Sequence, residues 1–539
     1  MKRFYVHLIS FFFACFLQAC DTSERLVDTA IADKTFYVTI GSDVTTLDPH
    51  LVQSTPDSSV VNSIFEGLVI ADPKTLESTP AVATHWTISE DGKTYRFYLR
   101  EDAVFSDGVA IDAHTFVNSF KRALSPGVAA PFISFMFFLE NAEAYYNKEG
   151  PSFDEVGVKA LDQYTLELTL ENPLPYFITA LQYPIFYPIP LHVLEKLGNA
   201  HERNYLWTKA EHIVGNGPFT FKHSRPNDST IVEKNPLYWD AKSVKLNSIV
   251  FRSTQSALID ERMFKGGLVH KTATVPALKT HSYLSSRPKE FHHGPMYATF
   301  YLHFNVTHDV LSDVRIRKAL SLSIDRQAIT HSVLKGGQIV ANGIVPPDDT
   351  GFKPTATSEF NPKKARELLK EAGFEGGKGF PSLTLLYNIS DDREKICTAI
   401  QQMWKQHLGI DIKLMSQEWK VFLDNQDKLN YDISVRAWRG DYIHPNTFLE
   451  LFMSNNDNNG TGWKSTHYDQ LMRSAFAETD INKSLTILAE AENYVIDQAP
   501  ITPIYYFTRG FLLDSRVKGV YHNLTDEMVV KHIYFEGEE

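Results

Sequence analysis

The sequence predicts a mixed α/β (α+β) protein, and three observations predict it. Short alternating segments and amphipathic helical segments interleave along the chain, the order that gives layered α/β or α+β architectures. At 539 residues the chain exceeds what one core ordinarily organises, so at least two lobes are expected. A hydrophobic content of 43% with 12% aromatic residues suffices for large cores and gives no sign of disorder.

The elements follow in order. In Phe36-Tyr37-Val38-Thr39-Ile40 the residues Phe36, Val38 and Ile40 share one face of a strand. Tyr95/Phe97/Leu99 and Leu166/Leu168/Leu170 repeat that alternation, and a helix is expected between them at about Asp112–Leu124. Asn361-Pro362 opens another helix, with Asn as the cap, Pro in the first turn, and Ala365, Leu368, Leu369 and Ala372 along one face up to Gly373. A helix over about Ile396–Leu408 turns at Gly409 into the strand Ile410/Ile412/Leu414. Phe105-Ser106-Asp107-Gly108 reads as a strand end and tight turn. No short repeat or low-complexity segment interrupts the pattern.

The N-terminus is different in kind. Lys2 and Arg3 precede an apolar run from Val6 to Leu17, which fits a signal-peptide core and is short for a membrane span. The run ends in Leu17-Gln18-Ala19-Cys20, the pattern of a bacterial lipobox, in which Cys20 is acylated and becomes the first mature residue. Residues 1–19 are therefore expected to be removed, and residues 20–35 to form a lipid-anchored tether. An ordinary signal peptide with an incidental Cys is the competing reading. Of the three cysteines only Cys397 remains for the body, so no internal disulfide forms there. Its apolar helical context argues for a buried, inert thiol. The formal net charge is −12 and the charges are interspersed, without a basic run for a phosphate backbone, so nucleic-acid binding is disfavoured.

Several fragments then occur in a fixed order between about residues 36 and 507. They are Thr46-Leu47-Asp48-Pro49-His50, Ile64-Phe65-Glu66-Gly67-Leu68, Pro80-Ala81-Val82-Ala83 with Trp86, and Tyr95-Arg96-Phe97-Tyr98-Leu99-Arg100. Phe105–Gly108, Gly215-Asn216-Gly217-Pro218-Phe219, Asn235-Pro236-Leu237-Tyr238-Trp239 and Asp313-Val314-Arg315-Ile316-Arg317-Lys318-Ala319-Leu320 follow. Together they resemble the peptide/nickel-type extracellular solute-binding family, in particular its oligopeptide-binding branch. The fragments themselves read as structural rather than as ligand contacts.

The resemblance implies a periplasmic-binding-protein-like two-lobe clamshell with an additional inserted domain. Lobe I would be discontinuous, over residues 36–65, 190–290 and 508–539. Lobe II, residues 66–189, would be the insertion, and lobe III would span 291–507. Ligand would lie between lobes I and III, which close by hinge motion. The implied function is capture of oligopeptides and their delivery to the permease subunits of an ABC importer, with the ATPase on separate subunits. A monomer is expected, lipid-anchored at the periplasmic face of the cell membrane, with no enzymatic activity, cofactor or metal.

The most functional-looking segment is Val435–Tyr442, a strand running into Gly440-Asp441. By resemblance, Asp441 pairs with the ligand's α-amine while the preceding strand, through Ala437, meets the peptide backbone, as in β-augmentation. A turn or helix-capping role is the competing reading of Asp441. Trp419 and Trp438 match cleft-lining positions, though either suits a core. Gln53 and Thr55 match backbone contacts from the opposite wall. Three positions depart from the pattern: Gln53 replaces a commoner carboxylate, Phe132 lacks the hydroxyl of a Tyr, and Arg439 stands where a small residue is usual. Arg439 would either compete for Asp441 or bind an acidic group of the ligand. Arg393 falls where a cation meets the peptide C-terminus, or is a solvated charge at a helix start.

Other classes are weighed on the same residues. A hydrolase is disfavoured, because Gly-x-Ser-x-Gly and His-Glu-x-x-His are absent and no paired carboxylates stand in a catalytic context. His292-His293 would point to opposite faces of an extended chain, which argues against metal. The same fold binding a modified amino acid or metal chelate, or acting as a surface adhesin or signalling receptor, remains the alternative.

Overall fold

The computed structural model describes residues 25–348, 351–357, 359–456 and 458–537. The signal segment and Cys20 lie outside them. Three main sheets organise the chain. In the first, the strands run in the order Thr35–Thr39, Ser248–Arg252, Ser229–Lys234 and Phe219–Arg225, and only the first pair is parallel. The second is an antiparallel meander of Ala83–Ile88, Thr94–Leu99, Thr165–Thr169 and Val158–Asp162. The third has six strands: Ile339–Val340, Ile501–Leu512, Phe291–Phe304, Ile433–Arg439, Leu383–Asn388 and Ile412–Gln417. Its last three are parallel to one another and its first three antiparallel. The protein is thus a mixed α/β clamshell.

Each sheet is buried for the reason its alternation predicts. Phe36, Val38 and Ile40 point into a core with Val60, Ile64 and Trp207. Tyr95, Phe97, Leu99, Leu166, Leu168 and Leu170 fill a second core with Phe116 and Phe120 of the helix Ala113–Ala123. Asp112 caps that helix and accepts from the Thr115 N–H at 2.9 Å. The third core places Ile396, Cys397, Ile400 and Trp404 of the helix Asp391–Leu408 against Leu383, Leu385 and Ile433. That helix starts five residues before its apolar stripe, because Asp391, Asp392 and Glu394 in the first turn favour the positive end of the helix dipole. Cys397 is fully buried, and burial pushes its thiol up to about 12. The thiolate is therefore suppressed.

The expected tether over 20–35 needs correction. Leu26–Ala32 is a helix, with Val27 and Ala30 buried. Val27 N–H donates to Gly267 O at 3.0 Å, and Arg516 pairs with Asp28 at 2.8 Å. From Leu26 onward this segment is part of the body.

Several of the fragments carrying the family resemblance meet at two nodes. Buried Glu66 accepts from Tyr238 Oη and from Trp239 Nε1 at 2.6 Å, and exchanges two hydrogen bonds with Asn216 across its backbone. Arg100 lies over the Trp239 ring at 3.4 Å. A Cβ on Gly217 would stand 2.6 Å from the Ile64 carbonyl carbon, so only glycine allows this approach. At the second node Arg122 and Asp48, both buried, pair at 2.5 Å beside His50.

Only two strands of the third sheet run on toward the first. Phe291 pairs with Leu512, and the next residue, Leu513, bridges Lys271, which in turn bridges Val38. Between Pro295 and Thr299 the pairing of these long strands is irregular. Tyr297, in that irregularity, accepts the Gly440 N–H at 2.8 Å and donates its own N–H to Leu524 O at 2.8 Å. Such bulges bend a strand and re-aim its side chains.

Candidate functional site

One wall of the cleft is the helix Thr55–Ile64, capped by Ser54, which accepts from the Asp57 N–H at 3.3 Å. Val60, Val61 and Ile64 face the core. Thr55, Ser58, Ser59 and Asn62, at i, i+3, i+4 and i+7, form a polar stripe facing the cleft. The opposite wall is Arg439–Ile443, just past the strand Ile433–Arg439. Thr179–Pro184 and the C-terminal turn Thr525–Met528 complete the enclosure.

Two adjoining cavities share Thr55, Ser58, Tyr183, Pro184, Arg439, Asp441 and Thr525. Gln53 and Phe132 line the second. The structure therefore brings together Gln53, Thr55, Phe132, Arg439 and Asp441. The Phe132 ring packs against Tyr183 at 6.0 Å, and Tyr183 supplies a phenol to both cavities.

Asp441 does not cap a helix: Pro445 stands at the cap of the short helix Asn446–Leu449. Its N–H donates to Thr447 Oγ1 at 3.0 Å, fixing the turn. Burial pushes its carboxyl up to about 6, opposed by Arg439 and Thr447. Among the described residues no ion pair is formed by this carboxylate, so its charge is met only by the more distant Arg439. The Arg439 guanidinium crosses the cleft and donates to Thr55 Oγ1 at 3.2 Å and to Thr525 O at 2.5 Å. The expected competition between Arg439 and Asp441 is therefore not a direct ion pair.

The remaining expected residues lie elsewhere. Ala437 and Trp438 are half-buried and pair with Phe300 and Thr299 of the neighbouring strand. Trp438 packs at the edge of the core around Tyr297 and Phe448, with a buried indole N–H that has no hydrogen-bond partner among the described residues. Trp419 is 51% exposed at a helix start and stacks on Phe422 at 5.8 Å. Arg393 is no solvated charge: it donates to Asn388 Oδ1 and lies 5.8 Å from the Phe300 ring, with burial lowering its pKa. None of these four lines the two cavities.

Sequence reasoning missed Tyr183, Asn62 and Glu527. The polar stripe 55/58/59/62 was a readable signal for Asn62; nothing local marks Glu527. Glu527 accepts from Asn62 Nδ2 at 3.2 Å, and burial pushes its carboxyl up to about 7. Beneath Asp441, Tyr442 stacks on Tyr176 at 4.1 Å and donates to Glu450, whose carboxyl burial pushes to about 7. His292 stacks on Phe511 while His293 turns toward Phe291. Among the described residues no group of three or more His, Cys, Asp or Glu is placed to hold a metal.

Comparison with known sequences is decisive. The profile of bacterial extracellular solute-binding proteins, family 5, in its middle portion, matches residues 77–460. The chain belongs to that family. It is 33% identical over 515 residues to the periplasmic oligopeptide-binding protein OppA of Salmonella typhimurium, covering 94% of this chain and 93% of the relative. It is 34% identical over 505 residues to the probable deoxycholate-binding periplasmic protein YgiS of Escherichia coli, covering 92% of each. Among solved structures, the unliganded open form of the periplasmic murein tripeptide binding protein MppA matches with a TM-score of 0.81. That match has 32% identity and covers 93% of this chain and 97% of the other. In this member of the family 5 solute-binding proteins, the two cavities lie between the helix Thr55–Ile64 and the segment Arg439–Ile443.

Proposed function

We propose that this family member is an extracytoplasmic receptor that captures oligopeptides between the helix Thr55–Ile64 and the Arg439–Ile443 segment and delivers them to an ABC importer permease. One observation carries the reading: the recessed Asp441 carboxylate lines both cavities and has no ion-pair partner among the described residues. A peptide α-amine entering there gains an opposite charge as it loses water. The polar stripe of Thr55, Ser58, Ser59 and Asn62 offers hydrogen bonds to a peptide backbone irrespective of its side chains.

The resemblance to YgiS favours a second reading, an amphipathic carboxylate ligand such as a bile acid. Charge argues against it. Among the described residues Arg439 is the sole Lys or Arg lining the two cavities, and Asp441 and Glu527 would repel an acid. Native mass spectrometry of the purified protein separates the two. Peptides with free N-termini released from the cleft support the first reading, and a sterol acid in their place overturns it.

In this account the lobes divide at residues 36–65, 190–290 and 508–539, at 66–189, and at 291–507. Leu17-Gln18-Ala19-Cys20 anchors the receptor to the membrane. Among the described residues no helix is long and apolar enough to cross a bilayer.

A further inference from the structure

The C-terminal turn brings a second carboxylate into the ligand cavity, by a construction that separates it from its neighbour. Asn523 clamps the turn: its Oδ1 accepts the Glu527 N–H at 3.0 Å and its Nδ2 donates to Glu527 O at 2.8 Å. Asp526 takes a left-handed conformation with φ of 55°, and its carboxylate pairs with Arg509 at 2.5 Å. The charge of Asp526 is thereby matched. Glu527 instead lines the first of the two cavities, which Asp441 also lines. Among the described residues the one hydrogen-bond donor to its carboxylate is the neutral Asn62 amide, and no Lys, Arg or His lies within ion-pair distance of it. Arg439, the nearest cation by its influence on both carboxyls, is exposed and screened by water, with donors committed to Thr55 and Thr525. A desolvated carboxylate of this kind favours a cation delivered by the ligand.

We propose that Glu527 is a second cation site in the cleft, receiving the side chain of a lysine or arginine at the first position of a bound peptide, so that the receptor selects peptides with a basic N-terminal residue. The proposal rests on Asp441 holding the α-amine. The two carboxylates then divide the work within one chamber: Asp441 is common to every peptide, and Glu527 sorts among them. Asp441 lines both cavities whereas Glu527 lines only the first, so the side chain enters the first cavity and the rest of the peptide has the second.

The test is titration calorimetry with three tripeptides, Lys-Ala-Ala, norleucyl-Ala-Ala and Ala-Ala-Ala, on wild type and Glu527→Gln. Norleucine keeps the length of the lysine chain and lacks its charge. Wild type should favour the lysyl peptide over the norleucyl peptide by about tenfold or more, and Glu527→Gln should bring the two within about twofold. Equal binding of the two by wild type, or a lysine preference that survives in Glu527→Gln, overturns the proposal while leaving the peptide reading intact. Failure of all three peptides to bind sinks the peptide reading and this inference with it. A second measurement needs no variant. Between pH 8 and pH 5.5 the ratio of lysyl to norleucyl affinity in wild type should fall as Glu527 takes up a proton, whereas Ala-Ala-Ala reports Asp441 alone. A ratio that stays constant contradicts the assignment.

Discussion

Replacing Asp441 with Asn keeps the turn, because the Thr447 hydroxyl is engaged by the backbone N–H of residue 441 and not by its carboxylate alone. It removes the charge. With its carboxyl at about 6, Asp441 is almost fully ionised at pH 7.5, so the wild type meets an ammonium ion without first losing a proton. Truncating one partner of a desolvated charge pair costs about 2–5 kcal/mol. The half-buried position of Asp441 points to the lower part of that range, so Asp441→Asn should weaken a free-amine tripeptide by roughly 30- to 300-fold. N-acetylating the peptide should weaken wild-type binding comparably and the variant far less, because the same interaction is already gone. The pH dependence has a definite sign. The ligand binds the ionised form, so affinity falls as pH drops through 6, by about tenfold at pH 5, and the acetylated peptide lacks this slope. Calorimetry on the four combinations at pH 7.5 and pH 5 measures it. Equal affinity of wild type for free and acetylated peptide refutes the amine-anchor reasoning.

Three further outcomes follow from the same structure. Asp48→Asn strands the buried Arg122 guanidinium beside neutral His50, and denaturant melts should show a loss of about 3–5 kcal/mol. Buried Glu492 accepts from the Val345 N–H with one oxygen while the other has no hydrogen-bond partner among the described residues, and burial pushes its carboxyl up to about 7. The folded state therefore binds a proton more tightly than the unfolded chain, and stability is lost as pH rises from about 4.5 through 7; Glu492→Gln should flatten that part of the melting-temperature profile. Cys20→Ser should release the protein from membranes or leave its precursor unprocessed, since acyl chains supply about 0.8 kcal/mol per buried CH₂; unchanged mass and membrane fractionation would contradict the lipobox.

Local pattern made most of the fold legible. Phe36/Val38/Ile40 and Tyr95/Phe97/Leu99 alternate because each strand buries one face against helices, and the caps Asp112 and Asn361 announce helix starts by satisfying N–H groups. The N-terminal helix escaped notice because its stripe, Val27/Ala30/Ile31, spans barely one turn within a polar stretch, and tertiary contacts with Gly267 and Arg516 hold it. The site was legible where a turn follows a strand, as at Arg439–Asp441. It was illegible where a side chain arrives from elsewhere: Tyr183 is placed by the turn Pro184–Phe186 and Glu527 by the C-terminal turn, which no spacing connects to residue 441. Trp419, matched to a cleft-lining position, stands half-exposed beside Phe422 and outside the two cavities.

The central claim is that ligand is held between the walls carrying Thr55 and Asp441, and that the two long strands joining the sheets let those walls approach. A ligand shifts the open–closed balance only through contacts that the closed form makes better. Small-angle scattering during titration with a free-amine tripeptide tests this most directly. The account predicts that the radius of gyration falls in step with calorimetric saturation and that Asp441→Asn shifts both curves together. Saturation by peptide with an unchanged radius of gyration would contradict it.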